Sequence, residues 1–276
     1  MTIALGIDFE KITHTPAYRS LTEQQELECD IVDVGERLLS LFSRYGVTAT
    51  FFIVSEIVEE HSEFIRRITE SGHEVASHTL SHQSLTNIPY ETKVYEIKNS
   101  KEQLESVSGE AVSGFRAPTC RIDDDAYELL IDTGYEYSST IMPGVPIPGF
   151  YSNEYGFDHV TEVNGDENAI TEVPLSVSRR LNLPISGAWI RLLGRRYFHR
   201  NVKSFVEAGR PVVTYSHPWE FTDLRNSSLP FRCRIHTGEW LFETYERLLQ
   251  VDAEFTTVSD IASRQTPKGS YSLSNE

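Results

Sequence analysis

Residues 31–54 read IVDVGERLLSLFSRYGVTATFFIV, and two periodicities meet inside them. Ile31, Val34, Leu38, Leu41, Phe42 and Tyr45 recur at spacings of three and four, the signature of one buried helix face. Gly46 stands where such a helix stops. From residue 48 to 54 the chain turns apolar and aromatic, as a strand does. The same unit repeats outward in both directions. Upstream, residues 3–9 read as a first strand. Downstream, Ser62 can cap a helix carrying Phe64, Ile65 and Ile68, closed by Gly72. Residues 73–77 then read as strand, 90–107 as helix, 114–116 as a short strand, 123–133 as a helix led by three aspartates, and 135–138 as strand.

Residues 143–165 break the rhythm with Pro143, Pro146, Pro148 and several glycines, and read as a long loop or irregular hairpin over one end of the fold. Strand returns at 170–175 and 211–216, helix at 189–208 and 239–249, and a last strand at 255–258. Alternation of this kind predicts an α/β fold: a parallel sheet with helices outside, as one single-domain barrel or an open doubly wound sheet. The expected domain spans residues 1–265, and residues 266–276 read as a polar, frayed tail.

Composition narrows the function classes. With 39% apolar residues in 276, the chain can bury a large core. No run approaches the roughly 18 apolar residues of a membrane span. A net charge of −16 argues against nucleic-acid and anionic-membrane partners, which need clustered Lys and Arg. Such an excess of carboxylates also suits a protein kept soluble at high salt, a halophilic trait. The opening MTIALGIDFE lacks the charged and apolar regions of a secretory signal, so a cytoplasmic location is expected. Cys29, Cys120 and Cys233 are odd in number and without CxxC spacing, and suggest neither a disulfide framework nor a cysteine metal site.

Chemistry in parallel α/β folds gathers at the carboxyl ends of the strands. The first strand ends in Asp8 and Glu10, which strand alternation puts on one face. The third ends in His78, with His82 four residues on; if the chain turns helical there, both imidazoles share a side and suit a divalent metal. Arg116 follows the fourth strand and can clamp a carboxylate. His217 follows the strand 211–216 and suits a general acid. Singly, each has an ordinary explanation: solvated charges, unrelated surface histidines, a loop arginine. Their convergence on strand ends does not.

Three stretches carry a resemblance: Gly6–Glu10 (GIDFE), Ala49–Val54 (ATFFIV) with Gly72–His82 (GHEVASHTLSH), and Gly114–Pro118 (GFRAP), with Ser216–Glu220 (SHPWE) towards the far end. The sequence resembles the polysaccharide deacetylase family, also called the chitooligosaccharide deacetylase homology family. The resemblance implies a distorted (β/α) barrel of about seven strands. It implies a hydrolase acting on carbon–nitrogen bonds other than peptide bonds, which removes N-acetyl or O-acyl groups from a carbohydrate in cell-surface glycan or polysaccharide biosynthesis. It also implies a divalent metal of the zinc type on Glu10, His78 and His82, with Asp8 as general base, Arg116 orienting Asp8, and His217 as general acid. Trp219 and Pro118 are the expected substrate contacts, and Tyr151, Tyr155 and Phe157 read as loop packing more than as sugar platforms. The family motif has two adjacent aspartates, where this chain spaces Asp8 and Glu10 two apart.

Three other readings share these residues. Two histidines and a carboxylate also describe non-haem iron oxygenases, on all-β scaffolds that the helix–strand alternation disfavours. A cyclic-amide or ureide hydrolase would use similar chemistry on a small molecule. A carbohydrate-binding protein that keeps the fold without catalysis would be marked by glycan binding that survives metal removal.

Overall fold

A computed structural model describes residues 2–21, 27, 29–146 and 155–273. Its strands are β1 (Thr2–Phe9), β2 (Thr50–Ile53), β3 (Glu74–Ser77), β4 (Gly114–Phe115), β5 (Tyr137–Ser138), β6 (Thr161–Asn164), β7 (Ala169–Glu172), β8 (Val212–Ser216), β9 (Glu254–Thr256) and β10 (Gly269–Ser272). The sheet order is β10-β6-β7-β5-β4-β3-β2-β1-β8, with β9 alongside β1. From β8 through β1, β2, β3, β4 and β5 to β7 every neighbour is parallel, a run of seven strands. Beyond β7 the chain bridges the two sides of this run. Val173 N–H donates to Ser138 O (2.7 Å) and Leu175 N–H to Ile141 O (2.8 Å), while Ser176 N–H reaches Val213 O on β8 (2.9 Å). The fold is a distorted (β/α) barrel.

Alternation along β1 sorts its residues into two environments. Ile3, Leu5, Ile7 and Phe9 face outward into the main core, where they meet Leu38 and Phe42 of the helix Ile31–Tyr45 and Phe64, Ile65 and Ile68 of the helix Val58–Glu70. Each fully buried Leu, Ile or Phe contributes on the order of 2 kcal/mol through removal of apolar surface from water. Ala4 faces inward, with Ala76, Leu175 and Val213 in a second cluster that fills the barrel. The Ile31–Tyr45 helix starts on Asp30, whose side chain accepts from the N–H groups of Val32 and Asp33, and ends on Gly46 at φ 62°. It packs so closely that a Cβ on Gly35 would lie 2.3 Å from the Phe64 ring.

Four expectations need correction. The helix expected over 189–208 is two helices, Ala188–Leu193 and Arg195–Glu207, because Gly194 at φ 83° breaks the ladder. The helix expected from Ser62 starts at Val58, without a side-chain cap. The long loop or irregular hairpin expected over 143–165 is, at its end, the regular strand β6, which forms an antiparallel hairpin with β7 beyond it; residues 147–154, with Pro148 and Tyr151, lie outside the described residues. The tail expected to fray from 266 pairs instead: β10 runs parallel to β6 and buries Leu273, covering the otherwise open edge of β6. Residues 274–276 lie outside the described residues. The three cysteines are unpaired, two of them buried.

Candidate active site

The inward face of β1 continues from Ala4 through Gly6 and Asp8 to Glu10, and both carboxylates are buried. Across the barrel mouth, β3 runs into His78. The histidine segment is a tight turn and not the helix that the spacing suggests: Thr79 (φ 66°) and His82 (φ 59°) both take left-handed backbone. Non-glycine residues seldom adopt that conformation, so something must hold it. Glu96, buried on the helix Tyr90–Ser108, does so. Its carboxylate accepts from Leu80 N (3.0 Å), Ser81 N (2.8 Å), Ser81 Oγ (2.6 Å) and Gln83 Nε2 (3.0 Å). Thr79 Oγ1 accepts from His82 N (3.1 Å) and closes the turn.

The two imidazoles are oriented alike. His78 Nδ1 lies 2.7 Å from Arg116 O and His82 Nδ1 lies 3.1 Å from His14 O. A carbonyl can only accept, so Nδ1 donates on each ring and Nε2 is the nitrogen left for the site. His82 Nε2 then sits 2.9 Å from Glu10 Oε2, a buried oxygen without a hydrogen bond. Two lone pairs facing each other at that distance repel unless a proton or a cation lies between them. Ligand atoms of Glu10, His78 and His82 all fall within 4.8 Å of one another, so these residues fit one divalent ion. Burial alone would raise the Glu10 carboxyl, but the contact with His82 and the charge of His217 outweigh it and hold it well below the usual carboxylate range. Burial lowers His78 to about 4, which keeps its ring neutral.

Asp8 is held from the opposite side. Arg116, fully buried, donates from Nη1 to Asp8 Oδ1 (2.6 Å), from Nε to Ser139 O (2.8 Å) and from Nη2 to Ser139 Oγ (2.9 Å), and it lies over the Phe52 ring at 3.8 Å. Gly6 makes room for it: a Cβ there would lie 2.6 Å from Nη1. Glu172 braces the segment beyond Ser139 by accepting from the N–H groups of Thr140 and Ile141, both at 2.8 Å.

His217 closes the third side, with Nε2 3.6 Å from Glu10 Oε1. Its Nδ1 is 3.5 Å from Glu220 Oε2, an ion-pair distance, and Glu220 Oε2 also accepts from the His217 N–H (3.1 Å). Glu220 is itself fully buried against Arg191, whose Nε (3.0 Å) and Nη2 (2.8 Å) both donate to Oε1. Burial alone would raise Glu220, yet Arg191 and His217 lower it to about 2. Burial alone would lower His217, yet Glu220, Glu10 and Asp8 raise it to about 9, so the ring is protonated at neutral pH.

The barrel therefore brings Asp8, Glu10, His78, His82, Arg116 and His217 to one mouth. The two expected substrate contacts behave differently. Pro118 is buried at the start of a turn in which Thr119 and Cys120 take φ near 59° and 55°. Trp219 is only 5% exposed, stacked on His217 at 4.9 Å, and offers no open face to a sugar. Tyr155 and Phe157 pack against Tyr271, and Tyr155 also against Tyr127, as loop packing does. His14, which its spacing did not single out, supplies the carbonyl under His82 and is itself fixed by Glu56 (2.8 Å). Glu96, Arg191 and Glu220 carried no signal beyond being charges in helical or strand-end segments. A cavity of about 820 Å³ opens elsewhere, and none of the six residues at the mouth lines it.

Comparison with known proteins bears on the fold and on the matched segments. Residues 29–138 match the family model for polysaccharide deacetylase, and residues 145–263 match a domain of unknown function (DUF3473). Asp8 and Glu10 precede both segments. A peptidoglycan deacetylase of Helicobacter pylori is 31% identical over 106 residues, 38% of this chain and 36% of the relative. A chitooligosaccharide deacetylase of Rhizobium leguminosarum bv. trifolii is 36% identical over 70 residues, 25% of this chain and 33% of the relative. The chain thus spans about a third of the length of these curated relatives. A solved Mycobacterium smegmatis structure, assigned to the polysaccharide deacetylases, superposes with a TM-score of 0.69 over 96% of this chain and 92% of that one, at 23% identity, which speaks for the fold. The chain thus carries a polysaccharide deacetylase domain over residues 29–138, which hold β2 to β5, and the likeness in fold runs on through both matched segments.

Proposed function

We propose that this chain is a metal-dependent hydrolase that removes acyl groups, N-acetyl foremost, from a carbohydrate. One observation carries the reading: Nε2 of His82 faces Oε2 of Glu10, a buried oxygen without a hydrogen bond, at 2.9 Å, with His78 completing a buried triad. Glu10, His78 and His82 would hold the ion, and nitrogen and carboxylate donors suit zinc. A divalent cation there supplies Lewis acidity and acidifies a water.

The remaining chemistry belongs to the protein's own groups. Asp8, locked by Arg116, takes a proton from the attacking water as its oxygen bonds to the amide carbon. His217, raised to about 9 by its carboxylate neighbours against the effect of burial, gives a proton to the sugar nitrogen as the C–N bond breaks. An amine leaves only when protonated, so the raised value is what the step requires. The relatives named peptidoglycan and chitooligosaccharide deacetylase support an N-acetylated glycan as substrate. Three unpaired thiols fit a reducing compartment, in keeping with a cytoplasmic biosynthetic role.

The test is acetate release from a panel of N-acetylated sugars, with and without chelator, for wild type and Asp8→Asn. Activity should vanish on chelation and in the variant, while the variant keeps its metal. Full activity in Asp8→Asn would move the base elsewhere, and metal content unchanged in His78→Ala would remove the centre.

A further inference from the structure

Trp219 lies where a sugar platform was expected, yet its surroundings suit another task. One face is stacked on the His217 ring with an interplanar angle of 17°, and the Arg191 guanidinium lies 5.7 Å from its ring centre. Ile12, Tyr18, Leu224, Leu229 and Cys233 cluster around it. The indole is therefore fixed in place, and its single polar atom has one use: Nε1–H donates to Glu10 Oε1 at 3.2 Å.

We infer that Trp219 is a positioning residue of the metal centre, whose indole N–H occupies Oε1 of Glu10 so that Oε2 alone is presented to a divalent cation. The inference rests on the metal reading above. A glutamate has one more rotatable bond than an aspartate, so its carboxylate needs a second contact to stay in one orientation. Indole N–H is a donor only and cannot compete as a ligand. With Oε1 engaged by Trp219, Oε2 remains without a hydrogen bond, beside His82 Nε2. Such outer contacts orient ligands as the carbonyls of Arg116 and His14 orient the two rings. The substitution of glutamate for the family's second aspartate and the tryptophan three residues after β8 are thus one device, built on the neighbouring strands β1 and β8.

Two variants of the full chain test this. In the first, residue 219 is replaced by 3-benzothienylalanine, which keeps the ring shape and puts sulfur where the N–H was. In the second, Trp219→Phe, the stack on His217 is retained in smaller form. Zinc affinity is measured by competition with a chromophoric chelator, cobalt binding by visible absorption, and folding by the melting temperature of the metal-free protein. The expected result is a loss of zinc affinity of about tenfold to a hundredfold and an altered cobalt spectrum in both variants, with metal-free melting of the benzothienyl protein unchanged. Affinity within about twofold of wild type and an unchanged cobalt spectrum would overturn the role of Trp219. So would an affinity loss accompanied in the benzothienyl protein by an equal loss of metal-free stability, which marks packing alone. Wild-type protein that binds neither zinc nor cobalt would overturn the metal reading itself, and this inference with it.

Discussion

Gly6→Ala is the smallest change that should disarm Asp8 without touching it. The added Cβ would lie 2.6 Å from Arg116 Nη1, 3.3 Å from Nη2 and 3.3 Å from Thr214 O. An ordinary contact needs nearly 1 Å more than the shortest of these. β1 cannot retreat, since Gly6 is paired with Thr50 on one side and Tyr215 on the other. The guanidinium must therefore move, although Ser139 holds it at two points and Phe52 packs against it at 3.8 Å. Overpacking of this kind costs about 1–3 kcal/mol, and a hydrogen bond between charged groups is worth about 1.5–3 kcal/mol. A displacement of ~1 Å at a reacting group costs roughly a hundredfold in rate. The expected outcome is kcat/KM for acetate release down about a hundredfold, with zinc content and affinity unchanged, because Glu10, His78 and His82 are not displaced. In an Arg116→Ala background the methyl meets no guanidinium, so adding Gly6→Ala there should cost far less than it does alone. Wild-type activity in Gly6→Ala, or losses that simply add in the double variant, would refute this account of how Asp8 is held.

Further outcomes follow from the groups behind the site. Glu220→Gln removes the carboxylate that raises His217 to about 9, so the basic limb of the kcat/KM–pH profile should move down; an unmoved limb would show that Glu220 does not tune the acid. The same variant leaves Arg191 buried and unpaired, a cost of about 3–5 kcal/mol to be read by urea unfolding. The sign for wild type is opposite to that of a depressed group. Because His217 is raised, its contribution to stability is complete below its ordinary value of 6.5 and is lost as pH rises through about 9, which pH-dependent unfolding of the metal-free protein can check. Glu96→Gln puts an amide where four donors converge, and should lower stability by about 1–3 kcal/mol and weaken zinc binding in a competition titration. Zinc at a hundred times its Kd should stabilise the fold by about 2.7 kcal/mol, seen as a rise in Tm that chelator reverses and that His78→Ala abolishes.

What was legible in the sequence was whatever depends on local periodicity. The three-and-four spacing from Ile31 to Tyr45 and the stop at Gly46 correspond to a real helix and its left-handed cap. The rule that chemistry gathers at strand ends picked out Asp8, Glu10, His78, His82, Arg116 and His217, and the barrel brings them to one mouth. The supporting groups were opaque for a physical reason. His14 and Arg116 act on the histidines through backbone carbonyls, which have no residue signature. Glu96 reaches back to a turn about fifteen residues earlier, and Arg191 reaches forward 29 residues to Glu220. The HxxxH spacing suggested a helix because helices are the usual way to align such a pair. Here two left-handed residues and a buried carboxylate do it instead. β10 was missed since its exposed face is polar and its pairing with β6 is non-local.

The spacing of the two acids also has a structural reason. On a strand, neighbours point to opposite faces, so adjacent acids can share a site only if the strand ends between them. Here β1 runs on through Phe9, and only residues two apart can both face inward. Phe9 exploits the intervening position: its ring faces the helix layer, 5.1 Å from Phe64 and 6.1 Å from Phe51. Burial of that ring fixes the strand end, and with it the directions of the residues on either side. Asp8 is thereby turned towards Arg116 and Glu10 towards the histidines, so in the proposed function the division between a proton-accepting carboxylate and a metal-directed one would be set by which wall of the barrel each acid meets.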